Sequence, residues 1–268
     1  MNASQRAALR SSFVTNESGP PSWTIGVWPF DETTAMLTLH SAHRPDFTIT
    51  ESLVDEWADA TAASTFQRVR TSAIGPASAD ALLDLGFTVR QELDFLVTDL
   101  VTDLVTDGAG HRARRWHVGR VRPTDAVRID VAAFGDEWAL DLAAFENSCR
   151  ATQDFRVRGV RSTMPGSLGA PLVRAAGYCL TGVSEDTSYL QRLAVVPVAQ
   201  RRGAAGALIA DAMRWAAQRG ARRMFVNTDV GNAGALSLYG QWGFERVGYR
   251  LRVMECDRRT LVSRRGRG

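Results

Sequence analysis

The chain contains no lysine: all 32 of its basic residues are arginine. Lysine Schiff-base chemistry and a lysine general base are therefore excluded. Cysteine is scarce as well. Cys149, Cys179 and Cys256 are odd in number and lack metal-ligand spacing. They read as free thiols in a reducing compartment, with no disulfide framework and no metal site. No apolar run is long enough to span a bilayer, and Met1-Asn-Ala-Ser-Gln-Arg6 has no signal-peptide core. A cytoplasmic location and no membrane partner are expected. The net charge of +3 is too small for a strong nucleic-acid footprint. Much of that excess sits in Arg258 to Gly268, read as a solvated, disordered end.

What is present is an ordinary globular composition, 45% hydrophobic and 23% charged over 268 residues. That suffices for one large domain or two modest ones. An internal repeat favours two. Val69 to Phe87 lies without a gap over Val226 to Phe244, with Val69/Val226, Thr71/Thr228, Gly86/Gly243 and Phe87/Phe244 identical. Each copy reads as strand, loop, short helix closed by glycine, then strand. Glu51 to Ala60 parallels the helix that carries Trp215. The tetrapeptide Leu-Val-Thr-Asp occurs three times from Leu96 to Asp107. Its first part reads as the last strand of the first unit and the rest as linker. A boundary near residue 112 follows, giving units 1–112 and 113–268.

The second unit reads as a strand at 116–122 and helical spacing from Asp125 to Thr152. Strands follow around a Gly/Pro-rich loop, Met164 to Pro171, and then a strand from Tyr189 to Val196. At Leu193-Ala-Val-Val-Pro-Val-Ala-Gln-Arg-Arg-Gly-Ala-Ala-Gly-Ala-Leu208 an apolar strand ends, a tight turn of small residues follows, and an amphipathic helix begins. Gly203, Ala204, Ala205 and Gly206 let main-chain N–H groups approach an anion closely. The helix start adds free donors and the positive end of its dipole. This is a pyrophosphate cradle, with the amides of Arg202 to Ala207 as donors and Arg201 or Arg202 adding charge. Downstream come a strand (222–228), a helix capped by Asn232, and a closing strand, Tyr249 to Val253. That last strand alternates apolar and Arg residues as a half-exposed edge would.

The Gln200-x-x-Gly203-x-Ala205 loop after Leu193-Ala-Val-x-Pro197, with Asn232-x-x-Ala-x-x-x-Tyr239-x-x-x-Gly243-Phe244, resembles the GNAT family of N-acetyltransferases. The resemblance covers about residues 115–257. It implies an α/β GNAT fold with a mixed central sheet, preceded here by a shortened GNAT-like α/β unit. Opposite the cradle the first half offers His43-Arg-Pro-Asp-Phe-Thr48, and opposite Tyr239 it offers Leu82. Pro45 lacks an N–H donor and Asp46 would repel a phosphate. That half is expected to pack without binding a nucleotide, as a pseudo-dimeric partner within a monomer. Oligomeric state stays open.

The resemblance further implies acetyl-CoA as cosubstrate and an amine acceptor, either a peptide or protein N-terminus or a small-molecule amine. It implies that Leu193, Ala194 and Val195 splay from the next strand beside the pantetheine arm, with the Val195 N–H near the thioester oxygen. Asn232 is expected to contact the cofactor as well as to cap its helix. Tyr239 is the candidate general acid, because a phenol with a pKa of about 10 is protonated at neutral pH. The strand before the cradle, Ser188 to Leu193, carries no carboxylate, so Glu185, Asp186 and Glu146 are candidate bases beside a chain of water. The competing reading is a non-catalytic module that binds or senses acyl-CoA.

Overall fold

The computed structural model describes residues 14–15, 23–39, 43–100, 116–162 and 175–263. The expected boundary near 112 and the loop at Met164–Pro171 lie outside the described residues. The chain forms two compact units. One gathers Met1–Phe95, Asn227–Ala233 and Arg246–Gly268; the other comprises Leu96–Val226 and Gly234–Glu245.

In the first unit, β1 (Val14–Thr15), β2 (Trp23–Trp28) and β3 (Asp31–Leu39) run antiparallel. Strand β4 (Arg68–Thr71) joins β3 in parallel and β11 (Glu245–Asp257) antiparallel. Helix α1 (Glu51–Ala62) buries Leu53, Val54, Trp57 and Ala58 in one stripe, as its 3.6-residue spacing requires. Helix α2 (Pro76–Asp84) begins with proline at its first turn, where the missing N–H costs nothing. Strand β5 is Thr88–Asp99. The closing strand was expected at an edge of the second unit. It is instead interior to the sheet of the first, where Met254 and Cys256 enter the core beside Val69 and Leu82. The C-terminal segment also departs from the expected disordered tail. Arg258–Ser263 form helix α7, Leu261 is buried, and Arg258 Nη1 donates to Ala62 O at 3.0 Å.

In the second unit, β6 (Trp116–Gly119), β7 (Asp154–Ser162), β8 (Gly177–Ser184) and β9 (Thr187–Val195) form an antiparallel run. Strand β10 (Arg223–Asp229) adds in parallel to β9. The helical spacing from 125 to 152 resolves into two helices, α3 (Pro123–Phe134) and α4 (Leu142–Arg150). Asp141 starts the second by accepting the Ala144 N–H. One face of the sheet packs on α5 (Ala204–Gln218) through Leu208, Ile209 and Met213; the other packs on α3 and α4 through Ile129 and Phe145. Helix α6 is Ala233–Gln241.

The internal repeat holds at the level of structure. At the sequence offset of Gly86 to Gly243, Pro76 falls on Ala233 and Asp84 on Gln241, so α2 and α6 share both ends. Both glycines have positive φ.

Candidate active site

The candidate cradle lies at the junction of β9 and α5. A short 3-10 turn, Pro197–Ala199, lifts the chain off the strand, and Arg201 then adopts φ 59° and Gly203 φ 89°. Position 203 is left-handed and precedes the helix directly, which is why glycine stands there. Ala204, Ala205 and Gly206 occupy the first helical turn, whose N–H groups have no intrahelical acceptor. Ala207 was expected among the donors, but its N–H closes the first helical bond onto Gly203 O at 3.1 Å. The side chains of Arg201 and Arg202 are exposed beside this turn. Two side chains brace the loop. Trp116 Nε1 donates to Arg202 O at 2.8 Å, and Gln200 Nε2 donates to Val195 O at 3.0 Å.

Strand β9 has an open side. It pairs with β10 from Thr187 to Tyr189 and, among the described residues, no further. Val196 N–H donates to Ala176 O on the β8 side at 2.9 Å. Strand alternation turns the Val195 N–H the other way, toward the unpaired side. Val195 O on that side is the acceptor of Gln200. Leu193 and Val195 line the face that packs on α5, and Ala194 lines the other. Between Leu180 and Thr181 the β8–β9 register shifts, leaving Gln191 as a bulge.

Tyr239 on α6 is buried and packs on Phe244 with ring centroids 5.5 Å apart. Its hydroxyl makes no hydrogen bond among the described residues. Burial pushes the phenol well above its usual range, Cys179 adds to that, and the Arg192 charge works against it. The group is a neutral proton donor across the physiological range. Asn232 directly precedes α6 and donates its main-chain N–H to Asp229 O at 2.9 Å; it falls in the first unit.

Glu185 does not join the cradle end of the site. It sits exposed, with φ 54°, in the turn that precedes β9, while the cradle follows the far end of that strand. At about 3.3 Å per residue the length of β9 separates them by more than ~20 Å. Asp186 shares that turn, and Glu146 is exposed on α4 in an ion pair with Arg150.

The carboxylate that does reach the middle of β9 is one the sequence reading passed over. Asp130 on α3 is fully buried. Its Oδ1 accepts from Tyr178 hydroxyl at 2.6 Å and Arg192 Nε at 2.9 Å; its Oδ2 accepts from Arg192 Nη2 at 2.8 Å and Leu140 N at 2.7 Å. Arg192 Nη2 also donates to Trp138 O, and Phe134 lies 3.9 Å beneath the guanidinium carbon. Burial and the neighbouring Asp130 charge hold the Tyr178 phenol protonated. Asp130 is thus committed to four donors and is not a free base. The helical periodicity of α3 carries a faint signal of it: an aspartate on the face of Ala126 and Ile129 needs a partner.

The counterpart loop in the first unit differs in detail. Its carbonyls are engaged inward: Phe47 O by Ser78 Oγ at 2.6 Å, Arg44 O by Phe47 N, and His43 O by Tyr249 hydroxyl at 3.3 Å. A Cβ on Gly75 would meet Arg44 O at 2.5 Å, so the loop packs directly onto the start of α2. Helix α1 is capped by Thr50 Oγ1, which accepts the Leu53 N–H. The first turn already has an acceptor where α5 has none.

The fold has counterparts among known proteins. Residues 166–244 match the model of the Acetyltransferase (GNAT) family. A tandem GNAT protein from the clavulanic acid biosynthesis pathway shares the fold with TM-score 0.59 and 12% identity, over 89% of this chain and 79% of that one. A GCN5-related N-acetyltransferase from Kribbella flavida gives 0.58 and 16%, over 94% and 92%. One from Sphaerobacter thermophilus gives 0.57 and 15%, over 88% and 76%. No curated protein matches the chain. The family match covers residues 166–244, and over most of its length the chain shares the fold of these GNAT proteins, a tandem one among them.

Proposed function

We propose that the protein is an acetyl-CoA-dependent N-acetyltransferase acting on a primary amine. The observation that carries this reading is the turn at Arg201 to Gly206, with unpaired helix-start amides beside a strand whose outer edge is open. Acetyl-CoA fits this arrangement. The amides of Ala204, Ala205 and Gly206 take the pyrophosphate, and Arg201 and Arg202 supply positive charge. Leu193, Ala194 and Val195 line the thioester arm.

The steps follow from what each group can do. An amine nitrogen attacks the thioester carbonyl carbon, and the Val195 N–H stabilises the oxygen as it gains charge. As the carbon–sulfur bond breaks, Tyr239 gives its proton to the departing sulfur, which leaves as free thiol. The nitrogen's surplus proton passes to water, since Asp130 is fully engaged by its donors. The products are an acetamide and CoA. Release of free thiol from acetyl-CoA in the presence of amines tests the reading directly; thiol release that no amine accelerates overturns it.

A further inference from the structure

The bulge on β9 leaves two adjacent polar groups unmet. Leu180 faces Arg192 and Thr181 faces Leu190, so Gln191 has no partner on β8. Bulges re-aim side chains and concentrate beside active sites. Gln191 Oε1 is buried and accepts no hydrogen bond among the described residues, which leaves a desolvation penalty that an incoming N–H would relieve. Arg192 spends Nε and Nη2 on Asp130 and Trp138. Its Nη1 has no partner among the described residues, and 22% of the side chain remains open.

We propose that Gln191 and Arg192 form the acceptor subsite, and that the acceptor is a small amine carrying a carboxylate, of the α-amino-acid class. Gln191 Oε1 receives an N–H of the amine, and Arg192 Nη1 donates to the carboxylate. Arg192 is already oriented for this. Asp130 grips one edge of the guanidinium, Tyr178 and Leu140 disperse that carboxylate's charge, and Phe134 covers one face. Only the Nη1 edge remains, and a guanidinium edge matches carboxylate geometry. The Arg192 charge also reaches Tyr239, so the pair lies within electrostatic range of the proposed acid. Tyr178 and Asp130 are positioning residues here: they act through Arg192.

The proposal rests on the acetyl-transfer reading and is separable from it by choice of acceptor. Free thiol is measured with acetyl-CoA and a panel of the common L-amino acids, each beside its own carboxamide. At least one free acid is expected to exceed its amide tenfold or more in kcat/KM. Arg192→Met lowers kcat/KM for that acid at least tenfold and affects the amide far less. Because Arg192→Met strips Asp130 of its cation and can unfold the protein, Gln191→Met is the second variant. It lowers use of the acid at least fivefold while the melting temperature holds or rises, a split that a purely structural glutamine would not give. Amides used as well as acids overturn the subsite and leave acetyl transfer standing, as does a folded Arg192→Met that impairs acid and amide equally or a folded Gln191→Met that impairs neither. No thiol release with any amine overturns both.

Discussion

The Trp116 indole donates to Arg202 O at 2.8 Å, tying strand β6 to the turn that opens helix α5. An acceptor pinned on its carbonyl side leaves the turn free to aim its amides outward. Trp116 itself is buried in the core beneath α5. Trp116→Phe is expected to keep the fold, cost about 1 kcal/mol and weaken acetyl-CoA binding several-fold. Thermal denaturation and a binding titration check the two effects separately. Unchanged affinity would detach the bond from the cradle.

Gly203 is left-handed at φ 89°. Gly203→Glu adds a strain of about 1–2 kcal/mol and places a carboxylate where the diphosphate would lie. Binding of acetyl-CoA should be lost while circular dichroism stays that of a folded protein. Normal binding by the variant would move the pyrophosphate elsewhere.

Tyr239→Phe removes a hydroxyl that has no hydrogen-bond partner among the described residues, so stability should change little. Turnover should fall by about 10²–10⁴-fold, the usual weight of a positioned proton donor, with acetyl-CoA affinity nearly intact. Wild-type turnover should show no alkaline decline from this phenol below pH 10, because burial holds it protonated. Equal activity in the variant removes Tyr239 from the chemistry.

Asp130→Ala leaves Arg192 without its buried counter-ion, and losing one member of such a pair costs about 3–5 kcal/mol. Urea denaturation should show that loss. Asp130→Ala combined with Arg192→Met should recover part of it, since the stranded charge goes too. A near-neutral single variant would mean that water replaces the carboxylate.

Alkaline pH should unfold the protein through its buried thiols. Burial raises Cys149 from the ordinary 9.0 to about 11, and Cys179 and Cys256 to about 12. A folded pKa above the unfolded one stabilises the fold below the unfolded value, and that contribution fades as pH rises toward the folded value. Stability should therefore be level up to about pH 9 and fall between about 9 and 12, followed by denaturant titration at stepped pH. Flat stability across that window would mean that the thiols ionise without unfolding.

The parts of this fold legible from sequence were those whose signal is local. Gly203 and the small residues after it marked the turn that opens α5, and the Gly86/Gly243 register marked the repeat, because turn and helix-cap chemistry depend on a few neighbouring residues. The C-terminal strand misled for the opposite reason. Alternation of apolar and Arg residues from Tyr249 to Val253 tells which face is apolar, not which unit receives it, and pairing with β4 is long-range. Arg258 to Ser263 looked like a basic tail, yet Leu261 supplies an anchor that charge counting overlooks. Asp130, Tyr178 and Arg192 lie far apart in sequence and meet only when α3 covers β8 and β9. Glu185 is close to β9 in sequence, but it precedes the first residue of that strand and the turn into α5 follows the last.

The most direct test is calorimetric titration of acetyl-CoA into the folded protein. The account predicts a single saturable site per chain, abolished by Gly203→Glu and untouched by Thr50→Ala in the first unit. Absence of binding to correctly folded protein, or a site that survives Gly203→Glu, would contradict it.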